Sequence, residues 1–190
     1  NHCIVANSAG YGILGFNAYI VARNSLIHSC GLQNLALIEG GVYKFEFCTF
    51  ATYGSTGINH ANQPTAVLLN YRDTSLTSFT GNPLNVNLDN CIFYGPLEDE
   101  IIFGKKGSWD YNVIVKNCLF KRTTAIPTYV TATNTLLNKD PLFTDYGKWN
   151  YRPKAISPTK EAGFSIPGII DDLDGELRGT LPSIGCYEVK

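Results

Sequence analysis

A short segment recurs along this chain and restricts its fold more than any other feature. Asn1-His2-Cys3-Ile4, Asn24-Ser25-Leu26-Ile27, Phe47-Cys48-Thr49-Phe50, Asn90-Cys91-Ile92-Phe93 and Asn117-Cys118-Leu119-Phe120 align at spacings of 23, 23, 43 and 27 residues. The strands before them align too, residues 18–22 with 41–45, then 84–88 and 111–115. A period near 23 in β-rich, helix-poor units is the pattern of stacked repeats that bury a core only against their neighbours. The expectation is an all-β right-handed parallel β-helix, a solenoid of about five turns of ~23 residues.

Alternate strand residues face inward. This places Ile20, Tyr43, Val86 and Val113 in one stacked column and Ala22, Phe45, Leu88 and Val115 in the next. Ile27, Phe50, Phe93 and Phe120 make a third. Asn24, Asn90 and Asn117 fall at the bend between strands, where Asn accepts a left-handed backbone and can bond its counterpart one turn away. Phe47 interrupts that ladder.

Two repeats are lengthened. One carries insertions near 55–64 and 70–83, the other between 104 and 112. The last two fall at the same corner of neighbouring turns, and loops stacked at one corner are where such folds carry function. That corner offers Tyr71, Arg72, Asp73, Lys106, Trp109 and Asp110 as substrate-binding candidates, since rings beside charged groups suit a sugar. Cleavage of an acidic sugar by a lyase needs a cation for the uronate and a base for the neighbouring proton. Arg72, Lys105 and Tyr111 are the catalytic candidates there, and His60 in the other insertion is a further one. The competing reading is that these are solvated loop residues, with the rings pinning the loops down.

Other chemistries are poorly represented. Cys48, Cys91 and Cys118 occupy one repeat position and read as stacked, inward free thiols rather than disulfides. No C-x-x-C pair occurs and the three histidines are scattered, so no metal site is expected. The run Asp171-Asp172-Leu173-Asp174-Gly175 resembles half of a calcium loop, but Ile170 and Leu181 stand where its first and last acids belong. It reads instead as a hydrogen-bonded turn, and no cofactor is expected. A net charge of −1 gives no basic stripe for nucleic acid, and no apolar run reaches the ~20 residues of a membrane span. The absence of Met suggests a processed piece of a longer polypeptide, with further turns upstream as its partner.

Residues 1–121 are therefore read as solenoid turns and 122–190 as a C-terminal capping segment packed on them. The tail reads Asp140-Pro141-Leu142-Phe143, Asn150-Tyr151-Arg152-Pro153, Ser157-Pro158, Ala162-Gly163, Asp172-Leu173-Asp174-Gly175 with Arg178-Gly179, and Ile184-Gly185-Cys186-Tyr187-Glu188. In that order it resembles the C-terminal signature of choice-of-anchor Q domain proteins, parallel β-helix repeat proteins common on the surfaces of Bacteroidetes. Thr159-Lys160-Glu161, Ser183 and Cys186 depart from the family pattern. The resemblance implies a secreted or cell-surface protein whose partner is a polysaccharide or surface glycan, and it implies no single activity. A non-catalytic adhesin or structural module is the alternative. As a cap, Phe143, Trp149, Tyr151, Ile184 and Tyr187 are expected to plug the open end of the last turn.

Overall fold

The computed structural model describes residues 1–52 and 63–190. Its strands are β1 (Ile4–Ala6), β2 (Ile13–Arg23), β3 (Leu26–His28), β4 (Leu35–Glu46), β5 (Thr49–Ala51), β6 (Ala66–Leu69), β7 (Tyr71–Asp73), β8 (Phe79–Gly81) and β9 (Leu84–Asp89). They continue with β10 (Ile92–Tyr94), β11 (Ile101–Gly104), β12 (Tyr111–Lys116), β13 (Leu119–Phe120), β14 (Val130–Thr133), β15 (Leu136–Leu137), β16 (Phe143–Asp145) and β17 (Asn150–Pro153). A 3-10 turn, Tyr146–Lys148, joins the last two. The chain is all-β with parallel sheets.

One sheet runs β1-β3-β5-β10-β13-β15, and the other runs β11-β6-β4-β9-β12-β14 with β2 also on β4. All pairings in both are parallel. Parallel strands need both faces covered. The inner faces meet in one core, where the three expected columns hold: Ile20, Tyr43, Val86 and Val113 are register partners, as are Ala22, Phe45, Leu88 and Val115, and Ile27, Phe50, Phe93 and Phe120. Cys48, Cys91 and Cys118 lie buried in that core, and all six cysteines are free thiols. Burial pushes the Cys48 and Cys91 thiols well above their usual range, so they act as small apolar groups.

The first repeat is shifted by one residue from the expected alignment. Ile4 pairs with Leu26 and Val5 with Ile27, so His2, not Asn1, stands at the bend. The side chains decide it: Val5 packs on the core whereas Ile4 is exposed. Pairing also continues past residue 121. Val130 joins Val113, and Leu136-Leu137 joins Leu119-Phe120, with Asn134 at the bend.

The tail does not serve as the expected end plug. It covers the flank of the six-stranded sheet, whose outward residues Leu26, Ile92, Tyr94 and Leu119 form a second core with Phe143, Tyr151, Ile184, Cys186 and Tyr187. These short strands are apolar on both faces, which is why the flank needs a cover. The antiparallel hairpin β16–β17 belongs to this cover. Trp149 at its turn is half exposed.

Every bend residue in the ladder is left-handed: His2, Asn24, Phe47, Asn90, Asn117 and Asn134 all have φ between 43° and 54°. Most of the asparagine amides do not run from turn to turn as expected. Nδ2 of Asn117, Asn90 and Asn24 donates to the carbonyls of Ala162, Phe164 and Asp171. Residues 162–171 thus form a strap that runs back across the bends of successive repeats. At Phe47, where no amide is present, the guanidinium of Arg178 lies 3.9 Å above the ring.

Candidate functional site

The insertion corner grows from a kink in β4. The β2–β4 register slips between Phe16 and Ala18, opposite Glu39, Gly40 and Gly41, all with positive φ. Tyr43 fills the kink from inside, accepting the Ala18 N–H and donating to the Gly40 carbonyl, both at 3.0 Å. Strand β6 pairs with the first half of β4 and β9 with the second. The chain between them leaves as the antiparallel hairpin β7–β8. In the next repeat, β11 and β12 pair with β6 and β9, and residues 105–110 leave at the same level. The sequence expectation that both insertions share a corner is met.

Asn70 locks the two loops together. Its Oδ1 accepts the Lys106 N–H at 2.9 Å, and its Nδ2 donates to the carbonyls of Lys106 at 3.1 Å and Trp109 at 3.4 Å. Nζ of Lys106 pairs with Asp73 Oδ1 at 2.5 Å and lies 4.2 Å from the Tyr71 ring centroid. Phe79 packs edge-on against both Tyr71 and Trp109. Arg72 turns away to Glu39, Nε to Oε2 at 2.9 Å, with its guanidinium over Phe16. Hydrogen bonds from Arg72 and then Thr80 hold the Glu39 carboxyl below its usual range. Lys105 lies over Tyr129, whose ring meets Tyr111 edge-on at 5.1 Å. Asp110 is exposed.

Tyr71, Asp73, Lys106 and Trp109 are thus brought together, while Arg72 is drawn to Glu39 and Tyr111 into the core. Tyr111 donates its hydroxyl to the Leu68 carbonyl at 2.9 Å, and burial pushes its phenol far above the usual range. As it stands, that hydroxyl is no base. His60 lies outside the described residues. Sequence reasoning missed Glu39, Asn70, Phe79 and Tyr129; Asn70 and Phe79 lay within the recognised insertion at 70–83, but Glu39 and Tyr129 had no local signal.

Trp109 is clamped by backbone. A Cβ on Gly81 or on Gly107 would lie 2.6 Å from its six-membered ring. Gly81→Ala should therefore displace the indole and cost about 1–3 kcal/mol, as overpacked sites do. A red-shifted tryptophan emission together with a lower urea midpoint checks this; an unchanged spectrum counts against the clamp.

Among the described residues, concavities occur elsewhere that are built largely by the C-terminal segment. One of about 400 Å³ is lined by Phe47, Ile166, Ile170, Leu177 and Arg178. Another, of about 370 Å³, is lined by Arg152, Asp174, Glu176, Tyr187 and Lys190, with Arg152 forked onto Asp174 at 2.6 Å by both Nε and Nη2. Asp172 is buried, and its carboxylate accepts the N–H groups of Asp174, Glu176 and Glu188. The half calcium loop is thus a hydrogen-bonded turn. Among the described residues no group of three or more His, Cys, Asp or Glu is placed to hold a metal ion, and no helix is long and apolar enough to cross a membrane.

Comparison with protein families, curated proteins and solved structures gives no match.

Proposed function

We propose that the parallel sheets are the walls of a right-handed parallel β-helix, a secreted or cell-surface module of the choice-of-anchor Q kind, and that its hairpin corner binds a glycan without cleaving it. In-register pairing over six successive strands of one sheet supports the solenoid. The observation that carries the glycan reading is a pair of partly exposed rings, Phe79 (40%) and Tyr129 (38%), flanking the charged loop 105–110. Such rings meet the C–H faces of a sugar while nearby polar groups meet its hydroxyls.

Binding is favoured over cleavage by how the charges are used. Arg72, Lys105 and Lys106 are balanced by Glu39, Asp73 and Asp110, and two of the three cations are already ion-paired. A lyase would need a free cation for the uronate and an accessible base. Among the described residues Lys105 is left for the first role, but the Tyr111 hydroxyl, buried and bonded to the Leu68 carbonyl, does not serve the second. The balance suits a neutral glycan, for which salt has little to screen.

Affinity electrophoresis against neutral and uronate polysaccharides tests this. Retardation by a neutral glycan is expected, changing little between 50 mM and 500 mM salt. Phe79→Ala and Tyr129→Ala should each weaken it on the order of tenfold, as loss of a ring anchor does. Release of unsaturated, ultraviolet-absorbing products from a uronate polymer would reinstate the lyase. Failure to retard on any polysaccharide would leave the adhesive or structural module.

A further inference from the structure

His28 is the one histidine among the described residues that is buried. It ends β3 on the outward side of the six-stranded sheet, beneath the hairpin β16–β17. Its ring centroid lies 4.9 Å from that of Tyr151 and 6.1 Å from that of Trp149. Nδ1 is 2.9 Å from the Ser29 hydroxyl, which also bonds Tyr151. We propose that the β16–β17 hairpin is an acid-released flap, held shut by the uncharged imidazole of His28 and lifted when that ring takes a proton.

Among the described residues, the groups around His28 offer an imidazolium no counter-charge. On the hairpin, Tyr151 is the titratable group against the ring, and burial pushes its phenol up to about 12, so it stays neutral. Asp145 and Lys148 pair with each other at 3.6 Å, and Arg152 is forked onto Asp174. In the sheet, the register partners of His28 are Ala6 on β1 and Ala51 on β5. Tyr94, the next in that column, is held neutral by burial. Cys30, two residues on, has its thiol pushed up by burial. Among the described residues His28 joins no ion pair, whereas His2 faces Asp171.

Burial accordingly lowers the His28 pKa from the ordinary 6.5 to about 4. With the closed form less ready to bind a proton than the open one, closure is at full strength above pH 6.5 and weakens as pH falls from there toward 4. Lifting the hairpin withdraws Phe143 and Tyr151 from the second core and uncovers Leu26 and Ala51. The consequence is an apolar face that opens in mild acid while the parallel sheets stay intact.

Hydrogen exchange of residues 143–153, corrected for the intrinsic effect of pH, reads the flap directly. In the wild type its opening equilibrium should rise about tenfold per pH unit between 6.5 and 4.5, with exchange in β4, β9 and β12 unchanged. In His28→Phe, or in His28→Gln if the first does not fold, that rise should vanish. An equal rise in the variant, or loss of protection in β4, β9 and β12 at the same pH, would overturn the proposal. Titration of the wild-type imidazole by NMR gives an independent check: a midpoint near 4 is expected, and one at 6.5 would refute it.

Discussion

Arg178→Ala should cost about 3–5 kcal/mol, the range measured when one partner of a buried charged pair is removed. At this chain length that lowers the melting temperature by roughly 10 °C. The side chain is 3% exposed, and its donors are spent on the tail and the ladder together. Nε donates to the Asp171 carbonyl, Nη1 to Ser183 O and Glu188 Oε2, and Nη2 to Asn24 Oδ1 and Gly185 O. Its flat face covers Phe47, a bulky residue held at φ 52° where the neighbouring bends have asparagine. Removing it leaves the Glu188 carboxylate, 12% exposed, with the Ser183 N–H as its side-chain donor among the described residues, and leaves carbonyls that water reaches poorly. Arg178→Lys should recover little, because an ammonium cannot span acceptors on both sides of a planar fork. Urea titration measures the loss, and proteolysis should nick the strap at 162–171 before the sheets. A stability within 1 kcal/mol of wild type would show that the asparagine contacts hold the strap unaided.

The same contacts show what the sequence reveals and what it hides. Repeat spacing exposes the ladder because each repeat contributes the same residue types at the same place, and a left-handed bend admits few of them. It does not say where the amides of Asn24, Asn90 and Asn117 go. Their acceptors lie 45 to 147 residues away in a segment with no repeat of its own. The flank cover was hidden for a related reason. In Ile92-Phe93-Tyr94 every residue is buried, so the two-residue alternation that marks an outer face is lost. The tail's aromatics were legible as apolar cover, but not which surface they covered. At the corner, the meeting of the two insertions followed from the spacing alone. The ion pairs that change its chemistry, Arg72 with Glu39 and Lys106 with Asp73, each join residues 33 apart and leave no local pattern.

The largest effect inside the sheets should come from Phe93→Ala, at about 3–5 kcal/mol. Phe93 is fully buried, and its ring lies parallel to that of Phe50, with centroids 4.8 Å apart and planes 4° from coplanar. That separation is close to the strand spacing itself. The stack is therefore set by backbone pairing of Phe93 with Phe50, and a neighbouring ring cannot slide across to fill the gap. Phe45 meets Phe50 edge-on at 5.6 Å, so the cavity would be lined by groups already held in place. Phe93→Leu keeps most of the volume and should cost about 1–2 kcal/mol. The double substitution Phe50→Ala with Phe93→Ala should cost measurably less than the sum of the two singles, because the second removal enlarges a cavity whose ring contact is already gone. Strict additivity would mean that the rings contribute through burial alone and that their stacking adds nothing.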